Sequence, residues 1–184
     1  MLSGDRPKHL LALVSFAGIL ALLSFALWPV FLTKLGQDWG LNNTDIGWIS
    51  GAYFLGYLMA TPVLVGLTDR VDARLVFLGG CVFSSVGCLL FAITAVNFWS
   101  AAVAWTLVGA GLAGTYMPGL QILNARLDDR ARVGAVPWYT ACFGIGTGGS
   151  FAVMGVILVY ADYQLAALIG SAGAFIAAML VLFF

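Results

Sequence analysis

The stretch GLTDRVDARL, Gly66 to Leu75, gathers Asp69, Arg70, Asp72 and Arg74 within a chain otherwise nearly free of charge. Two carboxylates beside two guanidiniums make ion pairs and charge-assisted hydrogen bonds. A second charged stretch, Arg126-Leu127-Asp128-Asp129-Arg130-Ala131-Arg132, repeats the chemistry. It reads as a solvated cytoplasmic turn that enforces positive-inside topology, with exchange of ion pairs with the first turn left open. The remaining chemistry belongs to hydroxyls and aromatic rings. Tyr53 and Tyr57 stand four apart, and Trp105, Gly109, Leu112 and Tyr116 fall on one helical face. Tyr139 and Phe143 share another, with Thr147 and Ser150 below, and Ser24 and Trp28 share a third beside Pro29. Such stripes either pack a core or line a cavity. As a cavity wall they suit a neutral or partly apolar organic solute, because no cation stands among them to hold a phosphate or sugar acid.

Catalytic chemistry finds no constellation. His9 is the only histidine, and Cys81, Cys88 and Cys142 form no C-x-x-C pair. The cysteines read as small packing residues. No nucleophile–base pair or metal-ligand set can be assembled, so no enzyme activity, cofactor or metal is expected. The formal net charge is zero and no basic stripe exists, which argues against a nucleic-acid partner.

These side chains need elements to hold them, and composition names the solvent. The 184 residues are 62% hydrophobic and 9% charged, against about 25% charged in soluble domains. All eight acids are Asp. A chain of this kind lies in a lipid bilayer. After a cytoplasmic segment at 1–9, the charges divide it into apolar runs at 10–33, 46–68, 75–96, 98–124, 133–160 and 165–184. Each is long enough to cross about 30 Å of hydrocarbon at 1.5 Å per residue. Lipid leaves backbone groups no outside partner, so each run must be a helix. The predicted fold is therefore all-α and integral to the membrane, a bundle of six transmembrane helices. Asn42-Asn43-Thr44-Asp45 supplies capping oxygens just before the second helix, while Asn97 divides the third from the fourth and Asp162 the fifth from the sixth. Gly47-x-x-x-Gly51 and Gly144-x-x-x-Gly148 are expected to bring helices into close contact.

Basic residues set the orientation. Arg6, Lys8, Arg70, Arg74, Arg126, Arg130 and Arg132 fall on one side and Lys34 alone on the other. Both chain ends are then cytoplasmic. Trp39, Trp48, Trp99, Tyr160 and Tyr163 gather on the far side as an interfacial aromatic belt. Compact loops and the strong charge bias point to the inner membrane of a bacterium. No Asp, Lys, Arg or His falls in the middle of a predicted span, so no intramembrane proton or ion relay is legible.

Six helices with a charged turn after the second resemble the amino-terminal half of a major facilitator superfamily transporter. In that family the turn reads Gly, three residues, Asp, Arg, one residue, Gly and two basic residues. Asp69, Arg70 and Arg74 match; Val65 and Asp72 stand where the family has Gly, and Ala73 replaces one basic residue. The resemblance implies that the turn forms a cytoplasmic gate, its Asp facing a helix start in the other half, where the macrodipole favours a carboxylate. Asp69→Asn should then weaken closure, and Asp72→Gly, which restores the family residue, should be tolerated. The alternative is a solvated turn that only enforces topology. The resemblance also implies a substrate cavity lined by helices 1, 2, 4 and 5, here by Trp28, Tyr53, Tyr57, Trp105, Tyr116, Tyr139 and Phe143.

The expected function is transport of a small organic solute by alternating access, with the chain as one half of a longer one. Its partners would be the bilayer and a second six-helix half. The alternative is a non-transporting subunit of the same fold, packed against another membrane protein.

Overall fold

The computed structural model describes residues 6–183. The start of the expected cytoplasmic segment, residues 1–5, and Phe184 of the last expected span lie outside the described residues. Helices α1 (Arg6–Ala21) and α2 (Leu27–Asp38) are joined by a 3-10 turn, Leu22–Ser24. They are followed by α3 (Asn43–Leu67), α4 (Ala73–Thr94), α5 (Phe98–Arg126), α6 (Asp129–Tyr160) and α7 (Tyr163–Leu182). Among the described residues six stretches are long and apolar enough to cross a membrane, the first being Pro7–Asp38, which joins α1 to α2.

That first span is broken, and the break lies before Pro29. Proline has no N–H to offer the carbonyl four residues back, and its ring clashes with that group. The carbonyl belongs to Phe25, so the helix fails in the turn that precedes the proline. Pro29 itself sits in the first turn of α2, where its missing donor costs nothing. Ser150 of α6 repairs the gap. Its Oγ accepts from Ala26 N at 3.0 Å and donates to Leu23 O at 2.6 Å. Ser150 is fully buried.

The other ends are closed locally. Asn42 and Asp45 form a reciprocal capping box at α3, and Asn97 and Ser100 form one at α5. Gly40, with φ +64°, turns the chain between α2 and α3 in a conformation other residues rarely adopt. Asp162 makes no capping hydrogen bond; its carboxylate instead meets Lys34 Nζ at 3.1 Å. Tyr163 OH donates to Ala95 O at 2.8 Å. These two contacts bring the α2–α3, α4–α5 and α6–α7 connections to one end of the bundle. Asp72 and Arg126, 3.2 Å apart, join the α3–α4 and α5–α6 connections at the other.

Helix α5 runs between α3 and α4, and the three backbones nearly touch. A Cβ on Gly109 would collide with the Tyr53 carbonyl, and one on Gly56 with that of Thr106. Gly80 of α4 meets Gly114 of α5 with equally little room. Small residues allow such approach, and dispersion across it holds helices together where lipid removes the hydrophobic drive. The expected close contacts at Gly47, Gly51, Gly144 and Gly148 do not occur in the bundle. A Cβ at any of the four would meet nothing within 4 Å. They lie on the outer faces of α3 and α6, whose most apolar stretches are only 22% and 28% buried. A helix that is apolar all round does not reveal in its sequence which side faces inward.

Two apolar clusters fill the interior. One, toward the Lys34–Asp162 end, contains Trp28, Phe31, Ile49, Tyr53, Phe91 and Trp105. The other, toward the Asp72–Arg126 end, contains Leu10, Val14, Phe77, Ile122, Leu123 and Tyr139.

Candidate functional site

The charged end is built around Asp72. It is the N-cap of α4, its Oδ1 accepting from Arg74 N at 2.9 Å. Oδ2 accepts from Arg74 Nε at 3.1 Å and Nη2 at 3.0 Å, and from Arg126 Nη2 at 3.2 Å. Hydrogen bonds from the Arg74 side chain, then its backbone, hold the Asp72 carboxyl below the ordinary carboxylate range. Arg126 ends α5, where a cation also complements the helix dipole. Asp69 and Arg70 are exposed, and among the described residues neither side chain has a hydrogen-bond or ion-pair partner. Of the three sequence-predicted gate residues, only Arg74 is engaged among the described residues, and with Asp72. The glycine position of the family turn therefore carries the hub of the local network, so Asp72→Gly removes a cap and a tie between α4 and α5. A cleft of about 560 Å³ opens between this turn and the end of α5, lined by Asp69, Asp72, Gln121 and Arg126. In the second charged loop, Asp128 caps α6 through Ala131 N at 2.8 Å, and Asp129 pairs with Arg132 at 3.0 Å.

The seven aromatic residues predicted for a cavity divide into two groups. Trp28, Tyr53 and Trp105 are buried in the first core cluster. Trp28 donates to Ser50 Oγ at 2.9 Å, and Tyr53 and Trp105 lie with ring centroids 5.2 Å apart. Tyr116, Tyr139 and Phe143 form the second group. Tyr116 and Tyr139 stack at 6.0 Å, and Phe143 meets Tyr116 edge-on at 4.9 Å. Tyr139, itself buried, donates to Tyr116 O at 3.3 Å. Tyr57 is half-buried on α3, outside both groups.

Phe25, in the broken segment, links the two groups. Its ring stands edge-on to Tyr53 at 5.8 Å and to Phe143 at 6.4 Å. The only sequence signal for it was Pro29, four places on. Ser15 was also missed. Its Oγ is buried and has no hydrogen-bond partner among the described residues. It lines a cavity of about 10 Å³ shared by α1, α5 and α6, with Thr115, Tyr116, Tyr139 and Phe143 on the other walls. That volume admits about one water. An unpaired buried hydroxyl costs about 1–3 kcal/mol, a cost that one water in this cavity would relieve. No ionisable Asp, Lys, Arg or His lines it.

A family model described as Major Facilitator Superfamily matches residues 13–184. The chain is 32% identical over 104 residues to monocarboxylate transporter 4 of Gallus gallus, covering 55% of this chain and 21% of that protein. It is 24% identical over 163 residues to the MFS-type transporter R5 of a Phoma strain, covering 89% and 31%. To the niacin transporter NiaP of Acinetobacter baylyi it is 24% identical over 139 residues, covering 76% and 31%. The matches span about a fifth to a third of the length of these relatives.

Proposed function

Because the chain belongs to the major facilitator superfamily, we propose that it forms one wall of an alternating-access transporter for a small organic solute. The carrying observation is the aromatic and hydroxyl wall formed by α1, α5 and α6, where Ser15 Oγ is buried without a partner among the described residues and no Asp, Lys, Arg or His lines the water-sized cavity beside it. Tyr57, Tyr116 and Phe143, each half-buried, form the solute-facing side of the wall, and Trp28, Tyr53, Trp105 and Tyr139 back it. A wall without cations suits a neutral solute or the protonated form of a weak acid. Relatives named for monocarboxylates and niacin supply the first probes.

A second six-helix unit faces the outer sides of α3 and α6 and completes the cavity. Asp69 and Arg70, whose side chains have no hydrogen-bond or ion-pair partner among the described residues, are available to pair with it as a gate. Arg74 is held in place by Asp72. Both chain ends lie on the cytoplasmic side of a bacterial inner membrane, following the bias of basic residues. No catalytic role is assigned, since alternating access moves solute without making or breaking its bonds.

The test is uptake by proteoliposomes containing the transporter. Short-chain monocarboxylic acids or nicotinic acid should enter faster as external pH falls, because the neutral fraction rises. Ser15→Ala should raise the KM severalfold with the protein still folded. Uptake insensitive to both changes would refute this reading of the pocket. Orientation is tested with impermeant thiol reagents: cysteines placed at Gln37 or Asp162 should react from outside, and those at Asp69 or Asp129 should not. The reverse pattern would overturn the topology.

A further inference from the structure

At the end of the bundle that carries most basic residues, an open pocket of about 660 Å³ lies between the first turns of α1 and α6. Its floor is apolar, made by Leu11, Leu127, Ala131 and Ala135, and Lys8 and Arg130 stand on its rim. Among the described residues neither cation has an ion-pair partner, whereas Lys34, Arg74, Arg126 and Arg132 each meet an aspartate. Asp128 also lines the pocket, but it accepts from Ala131 N as the cap of α6. Nothing would meet a Cβ at Gly134 within 4 Å, so the wall there stays low.

An apolar floor beneath two cations without an ion-pair partner among the described residues, at the depth where span meets water, complements one class of molecule. That molecule has an anionic head and a hydrocarbon tail. Basic pockets between helix ends on the cytoplasmic side hold anionic lipid headgroups. A guanidinium and an ammonium together give a phosphate both directed donors and a point charge. We propose that this pocket binds one anionic phospholipid, its phosphate between Lys8 and Arg130 and the start of its acyl chain on Leu11 and Leu127. The inference rests on the chain crossing the membrane and is independent of the solute. Leu11 and Ala135 of this pocket lie one helical turn from Ser15 and Tyr139 of the other cavity, but the experiment reads lipid binding alone, so its failure leaves the transport reading untouched.

The experiment is native mass spectrometry of the detergent-purified protein titrated with phosphatidylglycerol or phosphatidylcholine of identical chains. Phosphatidylglycerol should bind at least tenfold more tightly. The double change Lys8→Gln and Arg130→Gln should reduce that preference about tenfold, and Arg130→Lys alone should keep most of it. Lys34→Gln, at the opposite end, should have no effect. Equal binding of the two lipids, or a preference that survives the double change, would overturn the proposal. Inorganic phosphate at millimolar concentration should not displace the lipid. Full displacement would mean a free-anion site and would overturn the lipid assignment.

Discussion

The two oxygens of Asp72 receive four hydrogen bonds, from Arg74 N, Nε and Nη2 and from Arg126 Nη2. The carboxylate therefore starts α4, orients Arg74 and ties α4 to α5. We expect Asp72→Ala to lower stability by about 1–2 kcal/mol, since a lost cap costs about 1 kcal/mol and half-exposed ion pairs add at most about as much. Asp72→Asn caps equally well and should cost less than half of that. Thermal unfolding in detergent, followed by circular dichroism, separates the two. The pH dependence has a definite sign. The folded carboxyl titrates below its unfolded value, so its contribution is complete above that value, near 3.9, and is lost as pH falls through the depressed one. Asp72→Asn should flatten this acid limb. The sequence shows the charge cluster but not which carboxylate is the hub. Asp69 and Asp72 stand at similar spacings from arginines, and the deciding partner, Arg126, arrives from 54 residues away.

At the scale of the elements, the first span is two helices held at their junction by a side chain from a third. Ser150→Ala would leave Ala26 N–H and Leu23 C=O without partners in a buried setting. We expect a loss of about 1–3 kcal/mol, with faster hydrogen exchange at Ala26 than at amides of α4. Unchanged exchange at Ala26 would show that the break does not depend on Ser150. Proline gave notice of the discontinuity, yet its place one turn earlier follows from the carbonyl the ring displaces. The cap at Asn42 was readable because capping is local in sequence, and Asn97 was readable as a helix boundary. Asp162 was readable as a helix boundary and not as the partner of Lys34, which is 128 residues away.

For the whole molecule, the six spans were legible because length and apolarity suffice to define them. The facing of each helix was not, because glycine pairs look alike on an inner and an outer side. The structure distinguishes them, and substitution should too. Gly109→Ala, aimed at the Tyr53 backbone, should prevent folding or lower the unfolding temperature sharply. Gly148→Leu, facing open space on α6, should leave the six-helix unit folded and weaken its association with a second unit. Size-exclusion chromatography with light scattering, beside thermal unfolding, reads both. Loss of folding in both variants would place the Gly148 face inside the bundle.

The closeness of α3, α4 and α5 also has a meaning for the gene. Every missense change in a glycine codon adds at least one side-chain carbon. At Gly56, Gly80, Gly109 and Gly114 even that smallest addition meets backbone atoms, which cannot swing aside as a side chain does. These codons have no harmless missense neighbours, so single changes there should be removed by selection whatever solute the protein carries. The codons of Gly144, Gly148 and Gly149 are free of that internal constraint, and only an outside partner can restrict them. Allelic variation compared between the two sets would measure how strongly such a partner acts in the living cell.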